Sequence, residues 1–192
     1  MTRARILDAA RNILVSGTYS SVTMEEIAKE AGVSYQTVYA IFGTKLRLAQ
    51  GLMDVGFPHV GDALKLFDPL HQSDDPELAL RTGARVSRLI YELCADLLRF
   101  MRESGDPALL EHYREREEQR LLDMTRFGLP AMLERSGRLR AGIPPSEAVA
   151  VIWALTGPDQ YTQLVFQRGW TPSHYEDWLG DALISMLLRP AS

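Results

Sequence analysis

The chain has 192 residues, 46% of them hydrophobic, a net charge of −4 and one cysteine, Cys94. That composition supports a real core and excludes wholesale disorder, and one cysteine excludes an intramolecular disulfide or a multi-cysteine zinc site. Apolar runs stop well short of the roughly 20 residues that cross a bilayer, and arginines and Asp8 interrupt any signal-peptide pattern in the first turns, so a cytoplasmic protein without membrane attachment is expected. Residues 1–50 carry six Lys/Arg against four Asp/Glu, whereas the remainder carries fifteen against twenty-one. A mildly basic head on an acidic body suits a nucleic-acid binder with a separate second domain.

Taken in order, nearly every long segment has helical period. Ile6, Ala9, Ala10, Ile13 and Leu14 line one face of a first helix, which Gly17 stops. Thr23 and Glu26 form a capping-box pattern ahead of a short stripe of Met24, Ile27, Ala28 and Ala31. Gly32 suits a left-handed turn, Ser34 caps a third helix to Phe42, and Gly43-Thr44 separates it from a fourth beginning near Lys45. Residues 54–75 are punctuated by Gly and Pro. Pro76 opens a long helix to Glu103, whose arc of Ala79, Gly83, Val86, Ile90, Cys94, Leu97 and Met101 reads as buried and central. A helix from Pro107 to about Arg135, bent near Pro130, follows. Residues 137–145 read as a loop. The last two helical segments run from Ser146 to Gly169, broken at Thr156-Gly157-Pro158, and from Pro172 to Leu187. No strand pattern or repeat appears, so the class is all-α, divided as a head of residues 1–48 and a body of residues 49–192.

Thr23 to Lys45 is the informative stretch. Two short helices meeting at Ala31-Gly32-Val33-Ser34 have the spacing of a helix-turn-helix, in which the first helix braces the second in the major groove. The inner face of the second helix is read as Val33, Val38 and Ile41, with Phe42 just beyond. Its outer face offers Tyr35, Gln36, Thr37, Tyr39 and Ala40, which suit base edges and phosphates better than a core.

These residues carry a resemblance. Ile6-Leu7-Asp8-Ala9-Ala10, Thr23-Met24-Glu25-Glu26-Ile27-Ala28, Ala31-Gly32-Val33-Ser34, Thr37-Val38-Tyr39 and Phe42-Gly43-Thr44-Lys45 resemble the DNA-binding head of the TetR family of regulators. The resemblance spans residues 3–50. It implies that Thr23 and nearby amides hold a phosphate, and that Ser34, Tyr35, Gln36 and Thr37 lie at the DNA. Tyr39 and Lys45 would meet further phosphates, and Arg3 and Arg5 the backbone or minor groove. Gln36 has the chemistry to read adenine bidentately. Ala40 stands where many members have a larger side chain, so one contact is expected to be missing.

The resemblance also implies a homodimer on a palindromic double-stranded operator, with half-sites roughly 34–36 Å apart, and a small-molecule effector in the body that relieves repression. The candidate pocket residues are Phe67, Tyr91, Tyr113, Glu117, Met124 and Phe127. Glu117 interrupts the stripe of Leu110, Tyr113, Leu121 and Met124, so it either pairs with Arg120 or another arginine, or faces a cationic or hydrogen-bonding ligand. Candidate dimer residues are Ile152, Leu155, Tyr161, Val165, Trp178, Leu179, Leu183 and Met186, which can equally pack within the chain on another face. Rival readings are a DNA-binding dimer switched by a protein partner, and a helical enzyme. The scattered histidines match no HExxH spacing and Cys94 lies in an apolar arc, so neither catalytic nor metal residues, nor a bound cofactor, are expected.

Overall fold

The computed structural model describes residues 2–16, 19, 21–56 and 60–190. Gly17, Phe57, Pro58 and His59 lie outside the described residues. Among those described, the helices are α1 Thr2–Ser16, α2 Met24–Glu30, α3 Tyr35–Phe42, α4 Lys45–Gly56, α5 Val60–Leu64, α6 Pro76–Glu103, α7 Pro107–Arg126, α8 Leu129–Ser136, α9 Pro145–Leu155, α10 Pro158–Tyr161 and α11 Pro172–Leu187. A 3-10 stretch, Lys65–Gln72, follows α5, and a π-helical stretch, Thr162–Gln167, follows α10. The described residues contain no strand, only an isolated antiparallel bridge between Leu139 and Leu188. None of the described helices is long and apolar enough to cross a membrane.

The chain forms two compact units: Met1–Pro58 with Asp96–Glu115, and His59–Ala95 with Arg116–Ser192. The first unit therefore takes in more than the N-terminal head. Its core comprises Ile6, Leu7, Ala10 and Leu14 of α1, Ile27 and Ala28 of α2, Val38 and Phe42 of α3, and Leu48, Ala49 and Leu52 of α4, all buried. Each large aliphatic among them contributes roughly 1.5–3 kcal/mol relative to an exposed position. The C-terminal turns of α6 bury Leu97, Phe100 and Met101 in the same unit, and α7 adds Leu109. The Arg11 guanidinium donates to both Asp96 carboxylate oxygens at 2.9–3.1 Å, and the Tyr19 ring meets Phe100 edge-on at 5.7 Å.

The expected helix from Pro107 to Arg135 is two helices, α7 and α8. The break lies at Gly128, which adopts φ +77, and not at Pro130. A positive φ ends the hydrogen-bond ladder and suits glycine, while Pro130 sits in the first turn of α8, where its missing N–H has no intrahelical partner to lose. Gly157-Pro158 similarly starts α10 anew. Its last turns then widen, with Arg168 donating to the Gln163 carbonyl at 3.1 Å, before Gly169 at φ +73 ends the segment. The loop after α8 is pinned to the tail, where Arg140 N–H donates to the Leu187 carbonyl at 2.9 Å.

Candidate nucleic-acid interface

The capping box forms as its spacing requires. Thr23 Oγ1 accepts from the Glu26 N–H at 3.2 Å, and Glu26 Oε2 accepts from the Thr23 N–H at 2.8 Å. Gly32 makes the turn at φ +63, with Arg5 close by: a Cβ on Gly32 would stand 3.1 Å from Arg5 Nη2, which donates to the Ala31 carbonyl at 2.7 Å. Arg5 therefore fastens α1 to the turn. Arg3 lies over the Phe42 ring, 5.6 Å from its centroid. Ser34 then caps α3, its Oγ accepting the Thr37 N–H at 3.1 Å and lying 2.8 Å from Thr37 Oγ1.

Val38 and Phe42 are the buried side chains of α3. Ile41, expected on the inner face, is 40% exposed. From Val38 it lies about 60° round the helix against about 40° for Phe42, and the larger aromatic side chain takes the inner position. Tyr35, Gln36, Tyr39 and Ala40 are exposed as expected, and Thr37 is half-buried. The Tyr35 and Tyr39 rings stack, one helical turn apart, at 6.0 Å and 28°.

Lys45 is held more tightly than a solvated lysine. Its Nζ donates to the carbonyls of Tyr19 at 2.6 Å and Val22 at 2.8 Å, and lies 4.5 Å from the Tyr19 ring centroid. It thus shapes the segment entering α2, beside Thr23. Around the C-terminal end of α3 runs an open groove of about 360 Å³, lined by Arg3, Tyr39, Ile41, Arg47 and Gln50 among others. Arg47 and Gln50 escaped the sequence reading. The run Lys45-Leu46-Arg47 carried the available signal, a second cation two residues after the first.

The same stretch of chain is similar to known proteins. The family model described as "Bacterial regulatory proteins, tetR family" matches residues 6–52, which hold the turn, both of its helices and the start of α4. Over residues 6–52 the chain is similar to the TetR family of regulators. The HTH-type transcriptional regulator AlkX of Mycobacterium tuberculosis is 41% identical over 51 residues, 27% of this chain and 24% of that one. SrpR of Pseudomonas putida, a regulator of the same type, is 40% identical over 52 residues, with the same two shares. The chain thus matches about a quarter of the length of these relatives. Two solved structures share the whole fold at a TM-score of 0.72, each aligned over at least 98% of both chains. One is NalD of Pseudomonas aeruginosa, described as the secondary repressor of the MexAB-OprM multidrug efflux pump, at 20% identity. The other is a regulator from Saccharomonospora viridis in complex with choline, at 17% identity.

The rest of the chain distributes the remaining candidates. Glu117 pairs with Arg120, whose Nη2 and Nε donate to Oε2 at 2.7 and 3.2 Å. Arg120 also donates to Thr156 Oγ1 at 3.0 Å and the Trp153 carbonyl at 2.9 Å. Tyr91 Oη donates to the Thr156 carbonyl at 2.7 Å. Tyr91 and Glu117 therefore join one network between α6, α7 and α9, and the periodicity gave no sign of Trp153 and Thr156 as its other members. Phe67 stacks on Phe127 at 6.5 Å. Met124 is half-buried in the same unit, whereas Tyr113 belongs to the first. Leu121, read as part of the α7 stripe, is 37% exposed.

Four dimer candidates, Ile152, Tyr161, Leu179 and Leu183, are buried by the chain's own helices. Periodicity had identified an inward face. Leu155, Val165 and Trp178 are half-buried and Met186 is 50% exposed, with Phe166 at 49%. Cys94 is buried, its Sγ donating to the Ile90 carbonyl at 3.1 Å. Among the described residues no group of three or more His, Cys, Asp or Glu could hold a metal ion.

Proposed function

We propose that the protein is a DNA-binding transcriptional regulator: a homodimer that seats α3 in the major groove of each half of a palindromic operator and leaves it when a small molecule binds the second unit. The observation that carries this reading is the outer face of α3. A short helix, braced by α2 and fastened by Arg5, presents Tyr35, Gln36, Tyr39 and Ala40 to solvent beside the cations Arg3 and Arg47. Hydrogen-bonding side chains on a rigid helix flanked by positive charge suit base edges and phosphates together.

The effector half of the proposal rests on the second unit. Buried there, Tyr175 Oη and Gln160 Oε1 have no hydrogen-bond partner among the described residues, and such groups cost stability until a partner arrives. Glu117 is already neutralised by Arg120, which favours a hydrogen-bonding effector over one held by a bare carboxylate. The regulator from Saccharomonospora viridis is in complex with choline, which supports a small-molecule effector here. The effector acts through its differential affinity for the DNA-competent and DNA-incompetent states.

Fluorescence anisotropy on labelled DNA from upstream of the protein's own gene tests the reading. The expected result is competitor-resistant binding that weakens as salt rises, drops in Tyr39→Phe and is relieved by a small molecule that also raises the melting temperature. Binding to unrelated DNA with equal affinity would defeat the regulator reading, and a DNA affinity untouched by every stabilising compound would defeat the effector half.

A further inference from the structure

On α3 the direction opposite the mean of Val38 and Phe42, its buried side chains, falls on Ala40 at 100° per residue. Gln36 lies about 40° to one side of that direction and Thr37 about 60° to the other, with Tyr39 and Ile41 about 100° away on the two flanks. The residue pointing most directly out of the head is therefore the smallest on the helix. Thr37 Oγ1 is turned to Ser34 Oγ at 2.8 Å, which leaves Gln36 and Ala40, both exposed, as the summit of the face.

Their chemistry is complementary. A glutamine amide offers a donor and an acceptor in the arrangement that matches adenine N6 and N7, while an alanine methyl packs against the C5-methyl of thymine. Four residues apart, they stand about 6 Å from one another along the helix axis, against roughly 3.4 Å per base step. A small side chain at the summit also lets the helix sit deep enough for a glutamine to reach the base edge. We infer that Gln36 and Ala40 form the specificity pair of the head, reading an adenine and, one or two steps away, the methyl group of a thymine. Ala40 is then a contact by van der Waals packing, where its size alone suggests a missing one. This inference rests on the DNA-binding reading above.

The test begins with sites recovered from a random duplex pool by the full-length chain, followed by replacement of each half-site thymine with deoxyuridine, which removes only the methyl group. One thymine, within two steps of an adenine, is expected to weaken wild-type binding about fourfold when replaced, the equivalent of one buried methyl. The Ala40→Gly protein, its folding checked by thermal melting, should bind the thymine and deoxyuridine duplexes equally. Gln36→Ala should lose the preference for adenine while keeping the deoxyuridine penalty, a readout that survives if Ala40→Gly folds poorly. A recovered site with no thymine penalty, or a penalty that persists in Ala40→Gly, overturns the pair and leaves the regulator reading standing. Failure to recover any site overturns both.

Discussion

Lys45 shows how a side chain beside the candidate interface can serve the head's own fold. Its ammonium group reaches two carbonyls of the segment before α2, so its charge is placed by the head's own backbone. Hydrogen bonds to a charged group contribute about 1.5–3 kcal/mol each in net terms at most. Lys45→Met should therefore lower the unfolding free energy by an amount of about that size, read as a lower urea midpoint with the m-value unchanged. The salt dependence of DNA affinity should keep its slope. A midpoint left in place, with the slope reduced by about one, would return Lys45 to a plain phosphate contact. The caps Thr23 and Ser34 were legible in the sequence because capping is a local rule. The tie from Lys45 to Tyr19 and Val22 was not, because it joins positions more than twenty residues apart.

Among the elements, α6 matched its sequence reading from Pro76 to Glu103 because a proline start, a long apolar arc and a Ser-Gly-Asp stop coincide. The division of α7 from α8 was missed. Proline attracted the break in the sequence, whereas a glycine's sign of φ is invisible until the chain folds. The faces of α9 and α11 were read correctly as apolar, but periodicity states that a face is buried and not what buries it. The Arg120 network ties α7 to α9 through groups that are only partly exposed, 23% for Arg120 and 17% for Glu117. Arg120→Leu should cost about 2–3 kcal/mol in chemical unfolding, because it strands the part-buried Glu117 carboxylate. A loss of a few tenths would show the network to be an incidental surface pairing.

At the scale of the whole molecule, buried phenols set an alkaline limit on stability. Burial pushes the Tyr161 hydroxyl up to about 12 from its ordinary 10.0, with the Glu92 charge adding to it, and raises Tyr91 and Tyr175 as well. A raised value means the folded chain holds these protons more tightly than the unfolded chain. Stability is thus intact below about pH 10 and falls as pH rises toward 12. Tyrosinate absorbance should show Tyr91, Tyr161 and Tyr175 ionising only as the protein unfolds; their ionisation near pH 10 in a chain still folded would contradict this. Assembly is the second property at this scale. With Ile152, Tyr161, Leu179 and Leu183 already covered, the exposed large apolar side chains left for the proposed dimer include Met186 and Phe166. Sedimentation should find a dimer that Met186→Asp with Phe166→Glu dissociates without loss of helicity; a dimer unaffected by the pair would place the interface elsewhere.

The central claim is that α3 reads DNA, and selection of bound sequences from a random duplex pool by the purified full-length chain tests it most directly. The account predicts an inverted repeat whose half-site centres lie one helical turn, about 34–36 Å, or a multiple of it apart, and whose enrichment disappears when Tyr39 and Gln36 are both replaced by alanine. Repeated selection that returns no common sequence, or a sequence still enriched by that double variant, would contradict it.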